Sequence, residues 1–410
     1  MSASCSAAPY GVLGRKLGHS YTPRIYPMLA GLDYVRFERE PEDVEAFLKG
    51  SEWAGINVTM PYKRTVVPYL DELTVTARRL GNVNTIVRLP DGRLRGGNTD
   101  YFGFKMLVES VGIELTGKRA LVLGGSGGAG TTCMTVLEDL GARPVAVGRT
   151  GAVTYDDLGS YADASLIVNA TPVGMYPDCP ASPVDLSGFP ALEAVVDIVY
   201  NPARTGIMMQ AERHGIACAG GLLMLVAQAA AAVEAYTGEA VPRERILEVA
   251  DTLSKEEQNI ALIGMPGSGK TRVGQALARH LGREHVDLDE AFHAHTSMTC
   301  ADYILTYGED AFRQEETRVL ANIGKQSGLV ISCGGGVVTR DENYELLHQN
   351  SHIVMLNRPL HELSKKGRPI TARDGVEKLA ELRMPRYRAW ADTIIDSREN
   401  AEATALAILG

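Results

Sequence analysis

The stretch Gly264-Met265-Pro266-Gly267-Ser268-Gly269-Lys270-Thr271 decides how the second half of this chain folds. It follows the apolar run Asn259–Ile263, and apolar residues at helical spacing follow it, at Val273, Leu277 and Leu281. A strand, a glycine-rich turn and a helix in this order are typical of a phosphate-binding loop. The sequence therefore predicts a site for a nucleoside triphosphate.

The residue types of this loop suit phosphate chemistry. Glycines let backbone N–H groups turn toward a phosphate, and the N-terminus of the following helix adds positive partial charge. Lys270 can reach the outer phosphates, and the Thr271 hydroxyl can bind Mg²⁺. A plain glycine turn before a surface helix explains the motif less well, because every position of the motif is present. The predicted nucleotide-binding residues are Gly264, Gly267, Ser268, Gly269, Lys270 and Thr271.

Length and composition indicate a protein of several domains. The chain has 410 residues, which is too long for one hydrophobic core of ordinary size. Its 45% hydrophobic and 22% charged residues are ordinary for a soluble globular protein. The net charge of −9 argues against nucleic acid or an anionic membrane surface as a partner, since both need a basic face.

The cysteines and apolar stretches predict a cytoplasmic protein. The six cysteines are scattered and form no CxxC pair, which is typical of reduced thiols. Residues 1–9 lack the apolar core of a signal peptide. The longest apolar stretch, residues 222–233, is too short to span a bilayer and contains Gln228. We interpret it as a buried helix and expect no membrane partner.

Polar clusters follow several short apolar runs between residues 10 and 100. Ligands of open α/β sheets bind beyond the carboxyl ends of the strands, so these clusters are candidates for a site. For any single cluster, turn chemistry is the better explanation, because Asn, Asp, Ser and Thr favour turns. The clusters span residues 19–23, 57–63, 82–85 and 97–100.

A βαβ pattern with a glycine-rich first turn begins near residue 118. The apolar run 119–123 leads into the glycine-rich residues 124–130, a helical stretch and a second strand that ends at Arg149. This is the dinucleotide-binding plan. An enzyme that uses NAD usually carries Asp or Glu at that strand end, whereas Arg149 suits the extra phosphate of NADP. The alternative is a surface arginine without a ligand.

Taken together, the clusters up to about residue 240 resemble shikimate dehydrogenase. The resemblance implies a shikimate-binding α/β domain over residues 1–103, completed by a helix at about 221–242, and an NADP-binding Rossmann domain over 104–220. It also implies that the protein reduces 3-dehydroshikimate to shikimate with NADPH.

The resemblance implies roles for individual residues. Lys63 and Asp100 match the catalytic pair of the family, and a lysine held by an aspartate can supply the proton that a reduced ketone needs. The family usually has serine where Thr22 stands and asparagine where Gly148 stands. The residues expected to contact substrate are Ser20, Thr22, Asn57, Thr59, Asn84, Tyr200 and Gln228, and those expected to contact NADP are Gly125, Gly127, Gly128, Ala129, Arg149 and Thr150.

From Asn259 onward the chain is similar to shikimate kinase. The similarity implies a P-loop kinase domain with a parallel sheet over residues 258–410 and ATP as phosphoryl donor. Residues 243–257 before it are charged with some helical spacing, and we expect them to be a closing helix plus connector. Asp287 is expected near Mg²⁺ together with Thr271, and Asp289 is expected to accept the hydroxyl that is phosphorylated. With Asp289, Lys270 is expected to be catalytic.

Two arginines and a glycine run are expected to bind shikimate in this domain. Arg313 and Arg383 suit one carboxylate, because their planar guanidinium groups bind bidentately. Substrate can lie against the bare backbone of Gly334, Gly335 and Gly336. The lid of the family is shortened here to residues 363–370, so Arg368 is expected to be the catalytic lid arginine, and the similarity assigns no adenine partner.

The sequence favours the first of three functions, and the other two are alternatives. The first is a fusion that reduces 3-dehydroshikimate and then phosphorylates shikimate to shikimate 3-phosphate. The second is a quinate/shikimate dehydrogenase with a weakly active or inactive kinase-like domain. The third is a sensor that binds NADP and shikimate without turnover, which the presence of Lys63, Asp100, Lys270 and Asp289 argues against, because binding alone does not require them.

Overall fold

The computed structural model of the chain describes residues 8–18, 21–363 and 373–410. The strands are β1 Tyr10–Gly14, β2 Tyr34–Glu38, β3 Gly55–Val58, β4 Glu72–Leu73, β5 Thr85–Arg88, β6 Leu94–Gly97, β7 Arg119–Leu123, β8 Arg143–Val147, β9 Leu166–Asn169, β10 Ala194–Asp197, β11 Ala217–Ala219, β12 Asn259–Ile263, β13 His285–Asp287, β14 Val330–Ser332, β15 Ser351–Asn357 and β16 Thr393–Asp396.

The helices follow the same order along the chain. The α-helices are α1 Thr22–Ala30, α2 Val44–Lys49, α3 Tyr62–Thr65, α4 Val75–Leu80, α5 Asp100–Glu109, α6 Gly128–Asp139, α7 Gly206–Arg213, α8 Leu222–Thr237, α9 Arg243–Glu257, α10 Lys270–Leu281, α11 Leu288–Thr296, α12 Cys300–Tyr307, α13 Glu309–Ile323, α14 Glu342–His348, α15 Val376–Trp390 and α16 Ala401–Leu409. Short 3₁₀ turns span Pro41–Asp43, Val67–Tyr69, Tyr155–Tyr161, Leu186–Gly188, Val337–Thr339 and Leu360–Glu362.

The chain forms two compact units. Unit 1 comprises Met1–Val173, Ser182–Tyr200 and Gln210–Leu253, and unit 2 comprises Gly174–Ala181, Asn201–Met209 and Ser254–Gly410. Unit 2 thus begins a few residues before the predicted kinase boundary at 258, and it also includes two earlier segments. Hydrogen bonds explain this: the Arg204 N–H donates to the Gln349 carbonyl at 2.9 Å, and the Tyr176 hydroxyl donates to the Gly324 carbonyl at 3.0 Å.

The first sheet of unit 1 is mixed and has the order β2-β1-β3-β5-β6-β4. β1 is parallel to β2 and β3, whereas β5 is antiparallel to β3 and β6. Apolar residues on β1, β3 and β5 bury one face against Trp53 and Phe47. On the other side, helices α1 and α8 pack together through Tyr26, Val226 and Val233. The predicted buried helix at 222–233 is therefore confirmed as part of α8.

The second sheet of unit 1 is fully parallel, with the order β11-β10-β9-β7-β8. Its central strands are almost continuously apolar because helices cover both faces of a parallel sheet. Val122, Val168 and Val196 are completely buried and pack against Val136 of α6. This is the predicted Rossmann fold, with the glycine-rich turn between β7 and α6.

Residues 243–257, which we expected to form a closing helix plus connector, are helix α9 along their whole length. Ile246, Val249 and Leu253 are buried against α1 and α8. The Arg245 guanidinium donates to the Met28 carbonyl at 2.5 Å. Most of α9 is thus a packed part of unit 1, because its apolar residues recur at the helical period.

Unit 2 contains a parallel sheet with the order β13-β14-β12-β15-β16. The predicted phosphate-binding loop joins the central strand β12 to α10, as expected for a P-loop kinase fold. Ala261 and Ile263 of β12 lie in one apolar cluster, and Leu262 lies in a second cluster on the other face with Val273 and Leu277 of α10. The loop therefore lies between two buried elements that hold it rigidly.

Within residues 8–18, 21–363 and 373–410, none of the helices has both the length and the apolar character needed to cross a lipid bilayer.

Candidate active sites

Lys63 and Asp100 meet in unit 1, as predicted. Lys63 lies on α3, just after β3, and Asp100 is the first residue of α5. The Lys63 Nζ donates to Asp100 Oδ2 at 2.6 Å, and the two side chains are 31% and 19% exposed. The Lys63 carbonyl accepts the Val83 N–H at 2.8 Å, which holds α3 against the loop before β5. The pair is accessible to a small substrate and is held in place by its surroundings.

A buried polar network brings Asn84 and Gln228 together through Thr99. The Asn84 side-chain amide donates to Thr99 Oγ1 at 3.1 Å, and the Thr99 N–H donates to Asn84 Oδ1 at 2.7 Å. Thr99 Oγ1 donates in turn to Gln228 Oε1 at 3.4 Å. Thr99 was not among the predicted site residues, although the polar cluster at 97–100 was a signal for it.

Both polar atoms of the Asn57 side chain have partners within the protein. It is 7% exposed, and its amide oxygen accepts hydroxyl groups from Tyr34 and Tyr236, both at 2.8 Å, and from Tyr26. Its amide nitrogen donates to the Asn84 carbonyl and to Thr85 Oγ1, both at 3.2 Å. All of these partners belong to the protein.

The other predicted substrate contacts in unit 1 lie at the ends of elements. Thr22 opens α1, and Thr59 follows β3 directly; both are half-buried. The ring of Tyr200 lies 5.4 Å from that of Tyr21, and burial raises the pKa of Tyr200. Ser20 lies outside the described residues.

The predicted pyrophosphate turn lies where β7 meets α6. Gly125 and Gly127 follow the strand, whereas Gly128 and Ala129 open the helix, whose N-terminus favours an anion. Gly130 was missed by the prediction. A Cβ atom at Gly130 would lie 2.2 Å from the Gly124 carbonyl oxygen, so α6 can approach the turn only with glycine there. The turn therefore fits a dinucleotide.

Arg149 and Thr150 follow β8 and are exposed, on the same sheet as the turn. The backbone at Gly148 is closed by an N–H donated to the Val153 carbonyl at 3.1 Å. An exposed guanidinium at this strand end suits a ribose phosphate.

The phosphate-binding loop of unit 2 has the geometry that its sequence predicts. Gly264, Gly267 and Gly269 adopt positive φ angles of 141°, 87° and 96°, which turn the backbone inward. Lys270 is buried, and its Nζ donates to the Gly264 carbonyl at 2.9 Å and to the Met265 carbonyl at 3.1 Å. The buried Ser268 hydroxyl has no hydrogen-bond partner among the described residues, so the loop fits a phosphate.

Thr271 and Asp287 meet as expected of a magnesium site. Thr271 Oγ1 donates to Asp287 Oδ2 at 2.7 Å. Hydroxyl and carboxylate oxygens are ligands that Mg²⁺ prefers, usually together with phosphate oxygens and waters. In the described part of the chain, no group of three or more His, Cys, Asp and Glu side chains could hold a metal. A magnesium ion here would therefore depend on the nucleotide for its remaining ligands.

A cavity of about 580 Å³ in unit 2 joins this loop to the predicted shikimate residues. Asp289 lies in it near the N-terminus of α11, and burial, with the charge of Asp287, raises the pKa of its carboxyl group. Cys300 Sγ lies 3.8 Å from Asp289 Oδ1. The cavity places a carboxylate beside a phosphate-binding loop, which is the arrangement that phosphorylation of a hydroxyl requires.

Arg313 and Arg383 reach the same cavity over the glycine run. A Cβ atom at Gly336 would lie 2.0 Å from Arg313 Nη1, so the guanidinium rests on bare backbone. Arg313 Nη1 pairs with Glu316 Oε2 at 2.7 Å, while the buried Nε has no partner among the described residues. Arg383 Nη1 donates to the Gly335 carbonyl at 3.0 Å. Two guanidinium groups therefore face one space, which suits a carboxylate.

Arg358 also lines this cavity and was missed by the sequence reasoning. It follows β15 directly, and its Nε pairs with Glu362 Oε2 at 3.2 Å. The signal available was its position beyond the carboxyl end of a strand beside β12. The predicted lid arginine, Arg368, lies outside the described residues.

Comparison with known families gives matches over both units. A model of the shikimate dehydrogenase substrate binding domain matches residues 12–86, and a model of the shikimate 5'-dehydrogenase C-terminal domain matches residues 221–250. The shikimate kinase model matches residues 266–409.

Individual proteins match the first part of the chain. An NADP(+) shikimate dehydrogenase of Symbiobacterium thermophilum is 33% identical over 264 residues, which cover 57% of this chain and 90% of that protein. A solved shikimate 5-dehydrogenase of Thermus thermophilus, in complex with NADP(H) and shikimate, is 33% identical with a TM-score of 0.54, covering 60% of this chain and 98% of that one.

A solved quinate dehydrogenase is also similar. The protein from Corynebacterium glutamicum, in complex with NAD, is 26% identical with a TM-score of 0.55. The match covers 60% of this chain and 99% of that chain.

Proposed function

We propose that this chain, which belongs to the shikimate dehydrogenase family and carries a shikimate kinase domain behind it, catalyses two consecutive reactions. The first reduces 3-dehydroshikimate to shikimate with NADPH. The second transfers the γ-phosphoryl group of ATP to the 3-hydroxyl of shikimate. A cytoplasmic location is part of this proposal, and the absence of disulfides at Cys133, Cys300 and Cys333 supports it.

The observation that carries this proposal is the presence of a built site for each reaction on one chain. Lys63 and Asp100 pair at 2.6 Å in unit 1. In unit 2, Asp289, Arg313 and Arg383 line one cavity with the phosphate-binding loop. The product of the first reaction is the acceptor of the second, so the two sites form a sequence.

In the reductase site, the side chains of this chain neutralise the charge that develops on the substrate and orient the substrate. NADPH, when bound, supplies the hydride. The substrate carbonyl oxygen gains negative charge during reduction, and the Lys63 ammonium is placed to donate the proton that neutralises it. Asp100 holds that ammonium at 2.6 Å. Asn84 and Gln228 are placed to orient the ring hydroxyls, with Thr99 holding both side chains.

In the kinase site, two arginines hold the acceptor while a carboxylate activates it. Arg313 and Arg383 are placed to bind the carboxylate of shikimate, and Asp289 to accept a hydrogen bond from the 3-hydroxyl. Lys270 and the N-terminus of α10 stabilise charge on the phosphates. Thr271 and Asp287 would hold Mg²⁺, which when bound neutralises part of that charge. From the sequence, Arg368 is proposed to stabilise the transferred group.

A second candidate for the reductase half is oxidation of quinate. The likeness to the quinate dehydrogenase of Corynebacterium glutamicum favours it. Quinate differs from shikimate mainly by an added hydroxyl group, and a hydroxyl side chain such as Thr22 discriminates poorly between the two. The exposed Arg149 favours NADP over NAD.

One incubation tests the proposal. The full chain is mixed with 3-dehydroshikimate, NADPH, ATP and Mg²⁺, and NADPH absorbance is followed while shikimate 3-phosphate is measured. We expect both signals, loss of both with Lys63→Ala, and loss of phosphorylation alone with Lys270→Ala. When shikimate itself is supplied, Lys63→Ala should phosphorylate it normally. Oxidation of NADPH without phosphorylation would refute the kinase half. In a separate assay that compares oxidation of shikimate and quinate with NADP and with NAD, a preference for quinate with NAD would select the second candidate.

A further inference from the structure

The amide of Asn57 lies at the centre of a buried hydrogen-bond cluster in unit 1. Three tyrosine hydroxyls converge on its oxygen: Tyr26 from α1, Tyr34 from β2 and Tyr236 from α8. Its nitrogen donates to the Asn84 carbonyl and to Thr85 Oγ1, both at 3.2 Å. One side chain thus connects four elements and the residue that precedes β5.

The hydrogen bonds of this cluster occupy both polar atoms of the Asn57 side chain, so neither is available to bind a substrate. An amide oxygen has two lone pairs and an amide nitrogen has two hydrogens, so the two acceptors occupy both hydrogens and the three tyrosine hydroxyls share the two lone pairs of the oxygen. Burial raises the pKa of Tyr26, Tyr34 and Tyr236, so these groups remain neutral donors. The expectation that Asn57 binds substrate directly therefore needs a different interpretation.

The partners of Asn57 are attached to the residues expected to bind substrate. Thr85 Oγ1, which accepts from Asn57, donates to Asn84 Oδ1 at 3.0 Å. Tyr236 lies on the helix that carries Gln228, and Tyr26 lies on the helix that Thr22 opens. A shift of the Asn57 amide would therefore move several proposed substrate contacts at once.

We infer that Asn57 is a positioning residue, which sets the substrate affinity of the reductase site through Asn84 and α8 without touching the substrate. The inference rests on the proposed reductase function. An apolar residue of similar size could fill the same space, so packing alone does not call for an amide. A fully satisfied buried network instead fixes one arrangement of its members. The role should therefore appear in the KM for shikimate more than in kcat.

The first variant is Asn57→Leu in the full chain, assayed as NADP-dependent oxidation of shikimate. Because it removes all five hydrogen bonds, we expect the KM for shikimate to rise about 10-fold or more. We expect kcat to change by less than about 3-fold and the KM for NADP to stay the same, since neither the Lys63–Asp100 pair nor the cofactor turn is touched. The affinity of the same preparation for NADP reports on whether unit 1 has folded, because the cofactor turn and Asn57 both lie in that unit.

Substitutions of two tyrosines distinguish an effect on KM that is transmitted through Asn57 from one caused by a change in local packing. Tyr236→Phe removes one of the three hydroxyls, and we expect a KM increase of about 3-fold. In the Asn57→Leu background, Tyr236→Phe should cause no further increase, because the hydroxyl has lost its partner. Tyr10→Phe is the matched control, since Tyr10 stacks on Tyr236 at 5.0 Å but does not donate to Asn57. It should leave the KM unchanged.

The outcomes are distinguishable. A shikimate KM within twofold of the wild-type value in Asn57→Leu overturns the inference, as do additive effects of the two substitutions or a loss confined to kcat. If Asn57→Leu does not fold, the KM values of Tyr236→Phe and Tyr10→Phe decide, and equal values overturn the inference. A wild-type chain that does not oxidise shikimate refutes the proposed reductase function instead.

Discussion

Lys63 and Asp100 form a short ion pair that is partly open to solvent. Exposed pairs of this kind contribute little to stability, because water screens their attraction and two side chains lose freedom. The significance of this pair is therefore positional. The aspartate at the first position of α5 is favoured there by the helix N-terminus, and in the proposed reaction it holds the lysine that donates a proton to the carbonyl oxygen.

Substitution of Lys63 tests its catalytic role. Lys63→Ala should lower the reductase kcat by about 10² to 10⁴-fold, the usual range for a general acid. The KM for NADPH should hardly change, because Lys63 lies on the substrate side of unit 1. Lys118→Ala is a matched control, since Lys118 also pairs with a carboxylate, Glu193 at 2.7 Å, away from the site. A normal kcat in Lys63→Ala would contradict the assignment.

Arg149 should determine the choice of dinucleotide. Arg149→Ala should weaken NADPH binding by about 1.5–3 kcal/mol, the range for a charge-assisted hydrogen bond, and leave NADH binding nearly unchanged. The measurement is a titration of both cofactors with Arg149→Ala and with Arg143→Ala, a control on the same strand. Equal losses of both cofactors would show that Arg149 does not contact the additional phosphate.

Asp289 should destabilise the protein while serving catalysis. Burial raises its pKa, so the cost of ionising this carboxyl in the folded protein grows as the pH rises above the ordinary carboxyl value and is complete above the raised pKa. Asp289→Asn should therefore raise the unfolding temperature of unit 2 at neutral pH and abolish most kinase activity. The difference in unfolding temperature should shrink as the pH falls through the raised pKa, where the wild-type carboxyl becomes protonated. A lower unfolding temperature for Asp289→Asn at neutral pH would contradict this account.

At the scale of elements, both units have a glycine-rich turn between a strand and the N-terminus of a helix, an arrangement that suits a phosphate. The turn between β12 and α10 relies on positive φ angles at Gly264, Gly267 and Gly269. The turn between β7 and α6 relies on close approach, since Gly130 packs against the Gly124 carbonyl. Gly124 in this second turn also has a positive φ angle, 79°, so the two turns share that use of glycine.

Gly130→Ala tests the close approach between α6 and β7. The added Cβ would lie 2.2 Å from the Gly124 carbonyl oxygen, so the backbone must shift. We expect a loss of about 1–3 kcal/mol in the stability of unit 1, the range for overpacking, and weaker NADP binding. Gly128→Ala is the control, because a Cβ there meets nothing within 4 Å. Equal unfolding temperatures of the two variants without cofactor would contradict the prediction.

At the scale of the whole molecule, neither compact unit is one continuous stretch of the chain. Segments Gly174–Ala181 and Asn201–Met209 interrupt the Rossmann fold in sequence and belong to unit 2. Arg204 attaches the second of these through its N–H and through Nη1, which donates to the His348 carbonyl at 3.0 Å. A cut of the chain at residue 258 would therefore remove the partners of these segments.

Ligands should stabilise the two units selectively. A ligand at 100 times its Kd stabilises the native state that binds it by about 2.7 kcal/mol. NADP should therefore slow hydrogen exchange in β7 and α6, whereas ADP should slow it in β12 and α10. The measurement is peptide-resolved hydrogen exchange of the full chain with each ligand alone. Equal protection of both sets of elements by one ligand would show that the units open as a single cooperative body.

The sequence by itself determined the features that are local. The strands at 119–123 and 259–263 and the glycine-rich turns after them could be predicted, because each depends on residues close together along the chain. Arg313 and Arg383 could be predicted through the resemblance, and both line the cavity of unit 2. Lys63 and Asp100 could be paired only through the resemblance, and the structure places them in contact.

The tertiary structure alone decided which polar groups face the substrate and which face each other. Asn57 and Tyr236 are 179 residues apart, and Thr99 and Gln228 are 129 apart, yet each pair shares a hydrogen bond. The same holds for Arg204 and His348, which are 144 residues apart. Side chains like these carry no local pattern, because their partners are chosen by packing between distant elements. The sequence alone therefore does not distinguish an asparagine at a strand end that binds a ligand from one that accepts hydrogen bonds from three tyrosines.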